Sequence, residues 1–538
     1  MKQTVHSPAE SGRRTSSGAG SGPLRMAITE PTAIDPYRVQ EMEGMSVTKA
    51  LYEGLLVLDA GGQVVGGTAA RWASTDDGRR WTFRLRPDSL FSTGEPVTAH
   101  SFVRAWNRAT DPRAGSETAY HLSGIAGFRE RLSGESGQLA GVTAADDLVL
   151  EVHLGEPDHE FHLKTLQPTF FPVSTAAGHA TNAAHNARPI GNGPFAMAGP
   201  WQRGKAIRLT RNPTYAGRRM PHLDGVDLRI LPPQRALTDE FEAFTRGELD
   251  LTRIPPGAQE RAGELLAQGC RAVRTEVAGV MYLLPFTHHG VLADARARKA
   301  VSHAIDREAV IRQVLCGDQV LGCGARPASS LIPPAIAGHV AHPGRIRHDP
   351  ALARSLAHQA GLAPGTVLDL ATNVGAGHEE WVTAVARQLE DTLGLRVRVS
   401  DMTAAELVAY RTSERATGCC RAGWMCDYPT PDNVLFPLLH SSCVNPDASG
   451  TAHGDNEGRY QDQEFDELIR RARATPGEQQ RIALYQAAEQ QAIGEHMAII
   501  PLWYLAGSRL LRPYLRGVRL DAFGCVVFEE IEVSPVRE

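Results

Sequence analysis

The amino-acid sequence predicts a multidomain protein of the α/β or mixed α+β class. Three observations carry that expectation. The chain has 538 residues, well past the roughly 250–300 at which a single hydrophobic core stops growing. Stretches of alternating apolar residues and stretches of helical spacing are interspersed along it rather than segregated. No internal repeat occurs, and no apolar run approaches the roughly 18 residues needed to span a bilayer.

Taken in order, residues 1–23 are rich in Ser, Gly and Arg, without an apolar signal-type core or a cysteine to lipidate. They read as a disordered leader. "LRMAITEP" from Leu24 begins the first strand, and "LDAGGQVVGG" (58–67) reads as a hairpin. "WTFRLR" (81–86) places Trp81, Phe83 and Leu85 on one face and Thr82, Arg84 and Arg86 on the other, which predicts a half-buried strand. "GVMYLLPF" (279–286) is apolar on both faces and fits a strand covered on both sides. Asp294 and Asp306 cap the helical patterns "DARARKAVSHA" and "DREAVIRQVL". Thr475, Pro476 and Glu478 suggest a capping box opening "TPGEQQRIALYQAAEQQAI", with Ile482, Tyr485 and Ala488 on one face. "DASGTAHGDNEG" (447–458) reads as a surface loop.

Composition removes several functional classes. With 42% hydrophobic and 22% charged residues the chain is of ordinary folded type. A net charge of −5 gives no basic field for neutralising phosphates, so nucleic acid is not an expected partner. The eight cysteines are too sparse for a disulfide scaffold, and Cys419, Cys420 and Cys426 fit no zinc spacing. Buried thiols with one or two bridges, such as Cys316 to Cys323, are expected, and no metal or cofactor. The motifs GxSxG, HExxH, GxxxxGK[ST] and a strand-borne GxGxxG are missing. "THH" at 287–289 reads as a loop pair, and no catalytic residue is nominated.

Several ordered segments resemble the extracellular solute-binding proteins of peptide ABC transporters, family 5, the oligopeptide- and dipeptide-binding group. They are Tyr52-Glu-Gly-Leu followed by "WTFRLR" and "GEPVTAHSFV" (94–103), then "IGNGPFAM" with "LTRNPTYAG" (190–217) and "FTRGELDLT" (244–252). "DARARKAVSHAIDRE", "RYQDQEFDELIRRA" (459–472) and "IALYQAAEQQ" with "IIPLWY" (482–504) complete the series. The resemblance covers about 24–530. It implies a type II binding-protein fold, two α/β lobes joined by two crossing strands, with an additional inserted domain. The implied division is 24–54, 170–278 and 499–538 for the first lobe, 55–169 for the inserted domain, and 279–498 for the second lobe.

The resemblance also implies a site. "RAGWMCDYPTPDN" (421–433) is similar to the family's ligand strand, in which the acid before tyrosine receives a peptide's α-ammonium; here that acid is Asp427. On the residues alone Asp427 could equally cap a turn before "PTPDN". Trp424 would wall a side-chain pocket, although Trp424 and Tyr428 are also plausible core aromatics. Arg421 and Arg411 correspond to cleft arginines, Arg411 one position out of register, and Arg421 could instead pair with an internal acid. His378 in "GAGHEEWVTAVARQLEDTLG" falls where a histidine can meet the peptide carboxylate, or is an exposed residue at a helix start. Met42, Glu43 and Gly44 correspond to a first-lobe strand facing the ligand. Cys426 departs from the family pattern, no cysteine stands at 279 to pair with it, and Cys443 is its expected bridge partner.

The implied function is capture of short peptides, or of an arginine-like cationic compound, by a monomer that delivers it to ABC permease subunits at the cell surface. The missing export signal leaves the cytoplasm open. Two alternatives stand beside it. The binding fold could serve natural-product biosynthesis as a ligand carrier, as do oligopeptide-binding relatives encoded near clavulanic acid genes. It could also have become an enzyme, with Cys426 as nucleophile and His378 or Asp427 as acid or base.

Overall fold

Two long strands, Arg271–Pro285 and Ile500–Leu511, run antiparallel through the molecule and belong to one sheet that reaches into both lobes. This arrangement is seen in a computed structural model describing residues 22–179, 182–255, 257–316, 324–342, 344–375, 377–444 and 454–534. In the first half of the earlier strand, from Arg271 to Glu276, the residues are exposed or half-buried; from Val277 onward all but Met281 are buried. The apolar run "GVMYLLPF" is therefore covered on both sides, as its composition predicts. At the first-lobe end the pair gains Leu251–Thr252. At the other end Gly279–Pro285 pairs with Cys419–Met425, followed by Val367–Asn373 and Arg396–Met402 in parallel. The ladder is interrupted between Glu276 and Val280. Within that bulge Ala278 donates its N–H to Ala522 O (2.6 Å) and accepts from Cys426 N–H (2.7 Å).

The first lobe is built on Leu24–Thr29, Gly225–Leu231, Ala206–Arg211 and Phe195–Met197, the first pair parallel and the others antiparallel. Its core includes Leu51, Phe195, Leu209, Leu228 and Phe528. The inserted domain carries an antiparallel sheet in the order Ala69–Ser74, Arg80–Leu85, Val149–His153, Val142–Asp146. Trp81, Phe83 and Leu85 are buried and Arg84 is exposed, the two faces that alternation predicts. One second-lobe residue, Tyr428, belongs to this domain's core, among Trp81, Phe102, Trp106, Phe161 and Phe170. The second lobe packs Tyr282, Trp381, Leu389, Phe465, Tyr485 and Trp503 into its own core.

Of the three expected helix caps, Asp294 and Asp306 form and Thr475 does not. Asp294 accepts from Arg296 N–H (2.8 Å) and Asp306 from Ala309 N–H (2.9 Å), so both caps hold. Thr475, in contrast, ends the preceding helix Gln463–Ala474, its hydroxyl donating to Arg471 O (2.7 Å). The next helix, Glu478–Glu489, starts after Gly477 without a capping box. Two helices meeting at a short connection made the C-terminal threonine of one look like the cap of the other.

The inserted domain is tied to the first lobe by a bidentate pair, Arg108 Nη1 and Nη2 to the two oxygens of Asp35, at 2.7 and 2.8 Å. Both side chains are only 3% exposed. Removing one partner of such a pair strands a buried charge, which costs about 3–5 kcal/mol. Asp35→Asn is expected to lower unfolding stability at neutral pH by about 3 kcal/mol, measured by chemical denaturation.

Candidate functional site

The strand Cys419–Met425 sets which groups face the space between the lobes. Arg421, Gly423 and Met425 are half-buried or exposed, while Cys420 and Ala422 are buried, in the period-two pattern of a strand. Asp427 continues the first set and Cys426 the second. Cys426 is 1% exposed and lies in the second-lobe core.

Asp427 holds a carboxylate among neutral partners. Gln167 Nε2 donates to Oδ1 and Asn433 Nδ2 to Oδ2, each at 3.3 Å. Asn433 Oδ1 in turn accepts Asp427 N–H (2.8 Å) and Trp424 Nε1–H (3.3 Å), which locks the turn. Among the described residues the only basic side chain within 4 Å is His121, at 3.9 Å. Burial pushes that imidazole down to about 3, so it is neutral. Lys49 tempers the carboxylate's charge but pairs with Asp521 at 2.9 Å. Desolvation therefore dominates and raises Asp427 to about 6.

Farther along the strand, Arg421 donates through Nε to Asn373 Oδ1 (2.6 Å), and its Nη2 reaches the same oxygen. It has no carboxylate partner among the described residues. The expected alternative, an internal acid, is replaced by an amide. His378 stands at the start of helix Glu379–Leu393, half-buried rather than exposed, its Nδ1 accepting Trp381 Nε1–H (3.1 Å). Burial, then the charge of Arg421, hold it near 4. Arg411 is committed to Glu457 at 3.1 Å. Burial raises Glu457 to about 7 and Asp455 to about 6, the latter helped by the charge of Asp427. Beside Asp427's partners a cavity of about 750 Å³ separates the inserted domain from the second lobe, with Tyr120, His121, Phe161, Tyr428, Asn433 and Phe436 in its wall.

Other expectations are corrected. Met42, Glu43 and Gly44 form the first turn of helix Met42–Leu51 and are not a strand. Gly44 is buried, and a Cβ there would lie 2.5 Å from Ala33 O; Glu43 faces Arg253 at 3.8 Å. Cys426 and Cys443 are both free and buried, so the bridge between them is not formed. Cys316 is disulfide-bonded, and its expected partner Cys323 lies outside the described residues. The Cys426 thiol is driven far up by burial and by Asp427, the reverse of an activated nucleophile. Gln167, His121 and Asn433 escaped the sequence reading, as did Asp455 and Glu457. Gln167 is separated from Asp427 by 260 positions, and only Asn433, in the same quoted segment, carried any local signal.

The raised Asp427 gives a signed expectation. Because its folded value of about 6 exceeds the ordinary 3.8, the charge opposes folding, and this cost grows as pH rises from about 4 to about 6. Asp427→Asn is therefore expected to raise ligand-free stability at pH 7.5 by at least about 1 kcal/mol, with the difference gone below pH 4. Denaturation across pH measures it.

Comparison with known proteins finds relatives along nearly the whole chain. The model of bacterial extracellular solute-binding proteins, family 5 (middle), matches residues 63–446. The chain is 30% identical over 516 residues to the periplasmic murein peptide-binding protein MppA of Escherichia coli, covering 93% of this chain and 90% of that one. It is 29% identical over 506 residues to the periplasmic oligopeptide-binding protein OppA of Salmonella typhimurium, covering 91% and 88%. To the probable deoxycholate-binding periplasmic protein YgiS of E. coli it is 28% identical over 516 residues, covering 91% and 89%. Among solved structures, E. coli MppA superposes with a TM-score of 0.76 at 25% identity, over 96% of this chain and 99% of that one.

Proposed function

Since the chain belongs to the bacterial extracellular solute-binding proteins of family 5, we propose that it captures short peptides between its lobes, Asp427 receiving the α-ammonium, and delivers them to an ABC permease. The observation that carries this reading is a largely shielded carboxylate, its side chain 16% exposed, with neutral partners. An ammonium arriving at Asp427 supplies the missing positive charge and makes charge-assisted hydrogen bonds where the amides of Gln167 and Asn433 make long ones. The main chain of Arg421–Met425, the part of the strand beyond its pairing with Leu370 and Ala371, can add an extended peptide through backbone bonds, which do not depend on its side chains.

Arg421, supported by His378, is the matching group for the peptide carboxylate. It lies six positions before Asp427, about 20 Å at strand rise, which suits an extended ligand of about three to five residues once the reach of the arginine is subtracted. An arginine-like cationic compound is accommodated by the same logic, with Asp455 standing beside Asp427. An anionic steroid of the kind named for one relative is disfavoured here, because its charge would face an unpaired carboxylate. In this reading the protein works as a monomer at the cell surface, its division into lobes following the boundaries given above.

Calorimetric titration of tri-L-alanine and of L-arginyl-L-alanyl-L-alanine tests the assignment. Asp427→Asn is expected to weaken binding at least tenfold, about 1.4 kcal/mol, and N-acetylation of the peptide to do the same to the native protein. Unchanged affinity after acetylation would exclude the ammonium role. Affinity is also expected to fall as pH drops below about 6, where Asp427 takes up a proton and loses its charge.

A further inference from the structure

The segment Asp427–Asn433, which holds the candidate ammonium-binding acid, is gripped from across the interface by the inserted domain. Asp427 takes the bond from Gln167. Tyr428 is buried in the inserted domain's core. Thr430 Oγ1 donates to Glu160 Oε2 at 2.8 Å, and Asp432 faces Lys164 Nζ at 3.2 Å. Behind this row the second lobe adds its own charges. Tyr485 OH donates to Glu160 Oε2 (2.8 Å), Arg481 Nε lies 3.0 Å from Glu160 Oε1, and Arg473 binds Asp432 through two bonds of 2.6 and 2.8 Å. The backbone joins in where His159 N–H donates to Arg473 O (3.0 Å). Glu160, Thr430, Asp432, Arg481 and Tyr485 are all between 0 and 7% exposed.

We propose that Glu160 is a positioning residue for the binding site, the centre of a latch between the inserted domain and the Asp427–Asn433 turn that holds the closed cleft together before any ligand arrives. The physical case rests on what each state does with the charges. Closed, Glu160 is the acid within ion-pair distance of the buried Arg481. Open, both are hydrated. A buried pair adds little net stability over apolar packing, but losing one partner strands the other. Substitution at Glu160 alone therefore penalises the closed arrangement, and removal of both charges relieves the penalty. The hydroxyls of Thr430 and Tyr485 can still donate to the amide oxygen of a glutamine, so the change isolates the charge.

Amide hydrogen exchange on the ligand-free full-length chain tests the latch without knowledge of the ligand and without reference to the ammonium role of Asp427. In Glu160→Gln the amides of Asp427, Tyr428, Thr430, Asp432 and Asn433 are expected to exchange at least tenfold faster than in the native protein. Those of Arg80–Leu85 and Val367–Asn373, inside the two domains, are expected to stay within twofold. The double variant Glu160→Gln/Arg481→Met is expected to bring the turn back to within threefold of native. Unchanged protection of the turn in Glu160→Gln overturns the proposal. So does acceleration that spreads equally to both internal strands, which would mark a general loss of fold stability, or a double variant no slower than the single.

Discussion

The antiparallel pairing of Arg271–Pro285 with Ile500–Leu511 is the constraint from which the remaining architecture follows. A single ladder whose two ends lie in different lobes means that neither lobe can be placed independently of the other. The strand that presents Asp427 has its place only because Gly279–Pro285 templates it residue by residue. Burial on both faces beyond Val277 secures this end of the ladder, and the more exposed Arg271–Glu276 stretch marks where the sheet leaves the second-lobe core.

Electrostatics around the turn are organised on two different principles within a few residues. Asp432 is saturated by cations, with Arg473 and Lys164 both at bonding distance, and its carboxyl is held well below the ordinary range despite complete burial. Asp427 is given amides and a neutral imidazole instead. Two aspartates of one short segment thus divide into a structural charge and a charge left available. Proteins keep buried ionic groups paired unless something else uses them, and this contrast is what supports the role proposed for Asp427.

Much of the fold was legible because strands and caps are local. Alternation alone placed Trp81, Phe83 and Leu85, and the double-sided apolar run at 279–286 marked the crossing strand. What failed was whatever depends on the meeting of distant segments. Gln167 and His121 are an ordinary polar pair until the inserted domain folds down on the second lobe. Asp455 and Glu457 read as loop solvation because nothing in "GDNEG" reports that the loop is tucked beside Asp427. Met42–Gly44 carries too few apolar residues to separate a strand from a helix start, and Gly44 argues against helix by propensity while its packing against Ala33 and Val39 requires it. Sequence spacing does not determine which cysteines pair, and Cys426 and Cys443 stay reduced.

The bulge at Ala278 bonds at once to Ala522 in the first lobe and to Cys426, the residue before Asp427. Asp427 therefore sits close to the fulcrum of any rocking between the lobes, whereas Arg421 lies about 20 Å out along the strand. For a given rotation displacement scales with distance from the axis, so Asp427 moves less than Arg421 as the lobes rock. Under the ammonium role proposed for Asp427, the first contact of a ligand is thus the one that shifts least between postures.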